Sequence, residues 1–399
     1  MPAPHEPVLT RPFLLLMAAH FLQALGYASL ILLPLYLDHL GASRAQVGVV
    51  MAASAVGGLL VRPAVAWSLD RWGRKPTLTV GTLVMVAAMA SLGLVQSVGA
   101  AVVLVHAVIG MAEAALFSGY FTVAADIVPE ARRTEGLALF GISGLVPLVV
   151  NPIAGWLGVE GGDLRGFFVV VAGLIALSLP LLWPLRDHAP GTASTPPSVG
   201  QVLRSLRHRS LWPVWTATMV FAGLVAIFMS FVTVAAADAG AANAGVIWLT
   251  YAAGSVGIRL FGASIPDRVG PSRMVPPSLL AYVAAFVVAA FATTNTTFAL
   301  AGLLAGFAHG ACFPVLTGQT ITRTPSDQRG AAMSLFTALW DVVKLLLVPL
   351  AGWVADATSD RGMLLLSAVI AVAGLGLWAV LERGVASPPE HPKADAARA

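Results

Sequence analysis

The apolar residues of this chain fall into twelve windows, separated by short polar or charged loops. A helix needs about 20 apolar residues to cross the hydrocarbon core of a bilayer, so each window predicts a transmembrane helix. The chain is therefore predicted to be an all-α integral membrane protein. The windows are residues 12–36, 45–69, 76–96, 99–127, 134–158, 166–185, 211–236, 243–266, 274–293, 296–322, 330–354 and 362–381.

One long loop divides the windows into two groups of six. It is rich in Pro, Ser and Thr and then carries Arg204, Arg207 and Arg209, and it is expected to hold a short surface helix. The polar end of the chain is expected to be disordered. The predicted organisation is an N-terminal six-helix bundle (1–185), a cytoplasmic linker (186–210), a C-terminal six-helix bundle (211–382) and a cytoplasmic tail (383–399).

Basic residues are distributed unequally between the two sides of the predicted helices. Seventeen of the 23 Lys and Arg residues fall on one side, against only Arg44, Arg165 and Arg361 on the other. The positive-inside rule then places both termini in the cytoplasm, in a multi-pass protein of the cytoplasmic (inner) membrane. Residues 1–11 are polar and have no cleavable signal pattern, so the first helix is expected to stay in place.

The composition narrows the class of protein. Only 11% of residues are charged, whereas soluble domains carry about 25%. The net charge of +4 is spread over short loops rather than one face, so nucleic acid is not an expected partner. The single cysteine, Cys312, excludes a disulfide within the chain. There is no nucleotide-binding loop, no metal-ligand spacing and no nucleophile with its base, so we expect neither an enzyme nor a cofactor.

The two halves repeat one pattern. Arg62 followed by Asp70-Arg71-x-Gly73 returns 197 residues later as Arg259 followed by Asp267-Arg268-x-Gly270. Gly110-x-x-Glu113 aligns with Gly306-x-x-His309, and Phe140 with Phe336, each 196 residues apart. Six-helix repeats are typical of secondary transporters, whose substrate sites lie near the bilayer midplane between the halves. The sequence therefore predicts two pseudo-symmetric bundles around a central site.

The loop after the second window carries Asp70-Arg71-Trp72-Gly73-Arg74-Lys75, with the small residue Ala66 before it. With the twelve windows and the repeat, this loop resembles that of the major facilitator superfamily over essentially the whole chain. The resemblance implies the major facilitator fold, transport by alternating access, and a charge cluster of Asp70, Arg74 and Asp126 that latches the outward-facing state. The family's first glycine is replaced by Ala66, and the second copy lacks the last basic pair and an acid matching Asp126. The residues assigned to the latch and to its symmetric gate are Asp70, Arg71, Gly73, Arg74, Asp126, Arg62, Arg259, Asp267 and Arg268.

The fifth window resembles a degraded form of the helix motif of drug/proton antiporters. Small residues let helices approach closely and proline kinks them, so ordinary packing is the alternative explanation. In the fourth window, His106 stands where the family often has an arginine. The antiporter-like motif consists of Gly141, Gly144, Pro147, Asn151, Pro152 and Gly155.

Ionisable residues within the windows are the candidates for chemistry, because a charge at the bilayer centre costs about 2.5–3.5 kcal/mol. Glu113 is the preferred proton carrier, since a carboxyl in a partly dry cavity can bind and release a proton near neutrality. His106, on the same helix face, is a candidate relay, or a hydrogen-bonded wall residue. Asp341 and Lys344 share one face at i, i+3 and are expected to pair or to line a polar cavity. The proton-coupling candidates are Glu113, Asp341 and His106, and the substrate-cavity candidates are His20, Gln23, His309, Asp341, Lys344 and Trp340.

Together these patterns predict a secondary active transporter that carries out proton-coupled efflux of a small organic molecule. A symporter or facilitator for a charged or zwitterionic metabolite is an alternative, because Asp341 and Lys344 suit such a substrate. A non-transporting membrane sensor or scaffold is an alternative from another class. The expected partners are a small-molecule substrate, protons and the lipid bilayer, and the protein is expected to be a monomer.

Overall fold

The structure, a computed structural model, describes residues 7–129, 132–185, 198–262, 265–325 and 328–385, and these contain helices and no strand. The predictions for the first part of the linker and for most of the disordered tail, residues 186–197 and 386–399, lie outside the described residues. The all-α prediction is confirmed.

The N-terminal half contains six spanning helices, labelled α1 to α6. α1 runs over Arg11–Ser29 and continues through a 3-10 turn, Leu30–Leu32, into Leu33–His39. The next three are α2 (Arg44–Arg71), α3 (Arg74–Leu92) and α4 (Ala100–Ile127). α5 joins Arg133–Leu145, the 3-10 turn Val146–Val149 and Val150–Trp156, and α6 joins Gly161–Asp163, Leu164–Ala176 and Ser178–Leu182.

The C-terminal half contains the other six, preceded by a short helix, Val199–Arg204, and two 3-10 turns, Ser205–Arg207 and Arg209–Leu211. The spanning helices are α7 (Trp212–Asp238), α8 (Val246–Phe261), α9 (Pro271–Phe291), α10 (Asn295–Thr322), α11 (Arg329–Ala357) and α12 (Asp360–Arg383). A short helix, Ile265–Val269, lies between α8 and α9.

The twelfth spanning element is shorter than its window. Among the described residues, eleven helices are long and apolar enough to cross a membrane, whereas α8 has 16 residues. The predicted window, 243–266, is too long because turns close both ends. The Asn243 side chain accepts a hydrogen bond from the Gly245 N–H, which makes an Asx turn before the helix, and Gly262 follows its last residue.

Backbone geometry repeats between the halves as the sequence does. Gly73 and Gly270, at equivalent positions, have φ of 102° and 92° and precede α3 and α9. Only glycine adopts this left-handed conformation without strain, so both loops need glycine there. The close packing of Gly110 against the backbone of Ser54 recurs between Gly306 and Tyr251.

The halves meet through α2 with α11 and through α5 with α8, two contacts related by the repeat. At the end that the predicted topology places outside, called the outer end below, the Arg44 guanidinium binds Asp38, Asp238 and Asp360. These ion pairs tie α2 to helices of the other half. Among the described residues, hydrogen bonds and ion pairs between the halves lie at this end and at mid-depth. The described contacts therefore join the two halves at one end and at mid-depth.

Candidate substrate and coupling site

Five charged side chains of the described residues lie within the spanning helices close to the opposite half. They are Arg62, Glu113, Arg259, Asp341 and Lys344. Glu113 and Lys344 lie near the middle of α4 and α11, about 20 Å from the helix ends at 1.5 Å per residue. Charges at this depth are expensive unless they are paired or functional. Their partners therefore decide what each can do.

Arg62 of α2 and Asp341 of α11 form an ion pair across the two halves. The Arg62 Nε lies 3.2 Å from the Asp341 carboxylate, and an Nη also donates to it. The other Nη donates to the Thr337 hydroxyl at 2.9 Å. Both charged side chains stay partly accessible, 34% for Arg62 and 22% for Asp341. The bridge joins α2 to α11 at the depth where a gate between the halves would act.

Asp341 and Lys344 do not pair with each other. The Lys344 Nζ donates to the Ser54 hydroxyl of α2 at 2.7 Å, while Asp341 binds Arg62. Both side chains project from the same face of α11 but contact different turns of α2. Each therefore has its partner in the opposite half. Of the two outcomes expected from the spacing, internal pairing is wrong.

Glu113 has no hydrogen-bond or ion-pair partner among the described residues, although it is half-buried at the middle of α4. The charges that act on it are Lys344 and Asp341 of α11. It is thus a carboxyl without a fixed partner, within electrostatic range of a lysine and an aspartate of the other half.

Two histidines of the N-terminal half, His20 and His106, are packed within it. His106 is buried and both of its ring nitrogens lack a hydrogen bond among the described residues, so the relay to Glu113 is not formed. His20 is bonded to the Ser143 hydroxyl at 2.7 Å and stacks on Phe140. Gln23 is buried beside them in α1.

The C-terminal half contributes an aromatic cluster. His309 is bonded through Nδ1 to the Tyr251 hydroxyl at 2.5 Å, and the Phe221 ring lies 5.4 Å from it. Trp340 lies 6.3 Å from His309 and 5.8 Å from Phe313, and its buried indole N–H has no described partner. This cluster is an apolar wall with an unused donor beside the charged groups.

Arg259 occupies a different setting from Arg62, its equivalent in the repeat. Its Nη1 lies 2.9 Å from the position that a Cβ on Gly141 of α5 would take. It has no hydrogen-bond or ion-pair partner among the described residues, and its Nε is buried. The internal repeat predicts that Arg259 forms part of a gate, as Arg62 does. In the structure, however, no carboxylate or hydroxyl of the described residues binds its guanidinium.

Of the three residues predicted to form the latch, two are paired with each other. Arg74 binds Asp126 at 3.1 Å, while Asp70 makes no hydrogen bond or ion pair with the described residues. Arg71 and Arg268 are exposed. The prediction for the Asp267 side chain lies outside what the structure describes.

The antiporter-like residues of α5 form a contact surface for two helices. Gly144 accepts a hydrogen bond from Tyr27 of α1 at its carbonyl, and Asn151 donates to the Ala28 carbonyl at 3.0 Å. Toward α8, Asn243 donates to the Pro152 carbonyl at 3.1 Å and packs on Gly155. Pro147 lies in the 3-10 turn that interrupts α5.

The sequence patterns do not single out three of the residues that contact the predicted site residues: Ser54, Thr337 and Tyr251. Ser54 and Tyr251 are 197 residues apart, and Thr337 is 196 residues after Gly141. Extending the repeat along α2, α5, α8 and α11 would have found them. Their hydroxyls give no signal by themselves, because hydroxyl residues are common in membrane helices.

The fold is shared with solved transporters. The nucleoside transporter NupG superposes with a TM-score of 0.76 at 15% identity, covering 93% of this chain and 99% of that one. A bacterial homolog of the lysosomal transporter Spinster, in an inward-facing and unoccupied conformation, gives 0.73 at 15% identity, covering 95% and 98%. A POT family transporter in complex with 5-aminolevulinic acid gives 0.77 at 10% identity, covering 94% and 97%. At these identities the likeness shows the fold.

Sequence comparisons give the family. An uncharacterized MFS-type transporter of Pseudomonas aeruginosa is 27% identical over 379 residues, covering 89% of each chain. A staphylopine export protein of Staphylococcus aureus is 23% identical over 357 residues, covering 86% of this chain and 88% of that one. The family profile of the Major Facilitator Superfamily matches residues 15–274 and 226–399. The chain therefore belongs to the Major Facilitator Superfamily and is a multi-pass membrane transporter.

Proposed function

We propose that this transporter exports a small organic molecule from the cytoplasm in exchange for protons, with Glu113 as the proton-binding residue. The observation that carries the proposal is that Glu113 is half-buried at mid-membrane and has no described hydrogen-bond or ion-pair partner. We infer that the protein acts as a monomer in the cytoplasmic membrane with both termini in the cytoplasm.

Two opposing effects keep Glu113 ready to exchange a proton. In general, burial favours a neutral carboxylic acid and a nearby cation favours a carboxylate, and Lys344 is the cation on the facing helix of the other half. Lys344 is held by a hydroxyl, that of Ser54, rather than by an acid, so its charge remains available to Glu113. A change in the distance between α4 and α11 would alter this balance, which links protonation to the movement of the halves.

The direction of transport is inferred from two similarities. The helix motif in α5 is similar to that of drug/proton antiporters, and the relative in Staphylococcus aureus is named as an export protein. Under the predicted topology, the Arg44 cluster closes the outer end, which supports loading from the cytoplasm. Protonation of Glu113 from the outer side would then favour release of the substrate and return of the empty transporter.

The test is a release assay that works with an unidentified substrate. Proteoliposomes are loaded with a deproteinised bacterial metabolite extract, the outside is made more acidic than the lumen, and released compounds are identified by mass spectrometry. We expect the wild type to release at least one compound faster with the gradient than without it. Glu113→Gln should lose this gradient dependence, and Glu160→Gln, an exposed loop carboxylate, should keep it.

Each other outcome has a defined meaning. Release that ignores the gradient contradicts proton exchange and favours a facilitator. Gradient dependence that persists in Glu113→Gln and disappears in Asp341→Asn moves the proton site to Asp341. If the wild type releases nothing beyond loaded liposomes without protein, the proposal of proton-coupled export fails.

A further inference from the structure

The repeat supplies an internal comparison for Arg259. In the first copy, Arg62 of α2 is bound by Thr337 and Asp341 of α11. The offset of 196 residues that aligns Phe336 with Phe140 places Gly141 and Leu145 of α5 at the equivalent positions. The second copy therefore has the arginine but neither the hydroxyl nor the carboxylate that binds it.

The structure agrees with this difference. Arg259 lies over Gly141, with Nη1 2.9 Å from where a Cβ would be, and no described carboxylate or hydroxyl is bonded to it. A guanidinium presents a planar set of N–H donors that matches a carboxylate in a bidentate pair. Gly141 has no side chain, and the Arg259 guanidinium packs against it where Thr337 contacts Arg62 in the first copy. A ligand carboxylate would thus find an unpaired donor at this position.

An unpaired acid faces the same region from the N-terminal half. Tyr27 of α1 donates its hydroxyl to the Gly144 carbonyl, one helical turn from Gly141. Glu113 and Arg259 both lie within electrostatic range of this hydroxyl. They are the one unpaired acid and the one unpaired guanidinium among the five charged groups of the described site.

The apolar side of the region is the aromatic cluster. Arg259 acts electrostatically on His309, and the rings of Phe221 and Trp340 lie 5.4 and 6.3 Å from that histidine. The buried Trp340 indole N–H has no described partner. An aromatic or apolar group of a ligand would stack on these rings, beside the Arg259 guanidinium.

We propose that the substrate is an amino acid-like zwitterion, whose carboxylate binds Arg259 and whose ammonium group binds Glu113. Its apolar side chain would lie on the aromatic cluster of Phe221, His309 and Trp340. This inference rests on the proposed exchange mechanism for one step: the ammonium group and the proton compete for the Glu113 carboxylate, so uptake of one releases the other.

Equilibrium binding to the purified full-length protein in detergent tests each contact separately. The three tritiated probes are L-phenylalanine, 3-phenylpropionate, which lacks the amine, and 2-phenylethylamine, which lacks the carboxylate. The wild type should bind L-phenylalanine most tightly. Arg259→Gln should weaken L-phenylalanine by about 30-fold or more and leave 2-phenylethylamine nearly unchanged. That unchanged probe also reports that the variant is folded.

Two matched variants of Leu145, which is not one of the proposed ligand-binding residues, test the role of the unpaired arginine. Leu145→Asp would place in the second copy the carboxylate that Asp341 provides in the first, and should reduce the affinity for L-phenylalanine and 3-phenylpropionate by tenfold or more, about 1.4 kcal/mol. Leu145→Asn has nearly the same shape without the charge and should retain most of the affinity. Glu113→Gln should remove the preference for L-phenylalanine over 3-phenylpropionate.

Three results would overturn the inference: no wild-type binding of L-phenylalanine, equal wild-type affinity for all three probes, or an unaltered preference in Arg259→Gln. These failures are separate from failure of the proposed function. Selective binding combined with release that ignores a pH gradient would retain the zwitterion site and reject the exchange mechanism. Gradient-driven release that is unchanged in Arg259→Gln would retain the exchange mechanism and reject the zwitterion site.

Discussion

Adding a side chain at Gly48 should force the outer ends of the two halves apart. Gly48 of α2 packs on the α11 backbone across the interface. A Cβ there would lie 2.7 Å from the Val348 carbonyl oxygen and 2.9 Å from the Pro349 Cα. Ordinary contacts begin near 3.4 Å, so even the first added carbon requires a backbone shift of several tenths of an ångström, and the two methyls of Gly48→Val require more.

The size of the effect depends on the backbone atoms of α11 that the new side chain displaces. The opposing atoms belong to a helix backbone and cannot rotate away as a side chain would, so overpacking should cost about 1–3 kcal/mol in the closed-outside arrangement. An arrangement with the outer ends separated does not bear this cost. The equilibrium should therefore shift toward it by about 5- to 150-fold.

Cysteine labelling measures this shift. Met51 is 5% exposed and lies one helical turn inward of Gly48, so Met51→Cys should react with a membrane-impermeant thiol reagent only when the outer ends separate. The native Cys312 is fully buried and gives low background. Gly173→Val is the control, because a Cβ there meets nothing within 4 Å. Equal labelling rates with and without Gly48→Val would refute the reasoning.

Two further predictions concern the outer cluster and the repeated loop. Arg44→Gln should also speed labelling of Met51→Cys, because the three carboxylates that the arginine bridges are left without a cation; a rate no faster than that of the parent would show that the cluster does not hold the outer ends together. Gly73→Ala and Gly270→Ala should each lower stability by about 1–2 kcal/mol, because their φ values of 102° and 92° suit glycine. This is measured as a lower thermal unfolding midpoint in detergent, whereas Gly99→Ala, at an extended φ of 179°, should melt like the wild type; equal midpoints for all three would contradict the argument.

Twelve helices could be predicted because each spanning segment is recognised from its own contiguous residues. With no water in the hydrocarbon core, each spanning segment must satisfy its own backbone hydrogen bonds as a helix, so its length and apolarity are written in contiguous residues. The error at α8 has the same origin. Its window of apolar residues extended beyond turns at Asn243 and Gly262 that hydropathy does not register.

The hydrogen-bond and ion-pair partners of the site residues, in contrast, could not be predicted from neighbouring residues in the chain. The i, i+3 spacing of Asp341 and Lys344 places them on one face, but it does not tell which helix lies opposite. Their partners, Arg62 and Ser54, are more than 270 residues away in the chain. Arg259 was grouped with Arg62 because the repeat makes them equivalent in sequence, and the difference in their surroundings appears only when α5 and α11 are compared as neighbours.

By itself, then, the sequence determined that this chain crosses a membrane as two related six-helix halves, and that a few ionisable groups lie deep within it. Hydrophobic length and an internal repeat are properties of one segment or of two aligned segments, so they need no knowledge of packing. Only the tertiary structure decided that Arg62 is neutralised by Asp341 while Glu113 and Arg259 have no such partner among the described residues. The reason is physical: a charge in a low-dielectric interior takes its energy from the few groups within hydrogen-bonding reach, and which groups those are depends on how the helices of opposite halves meet.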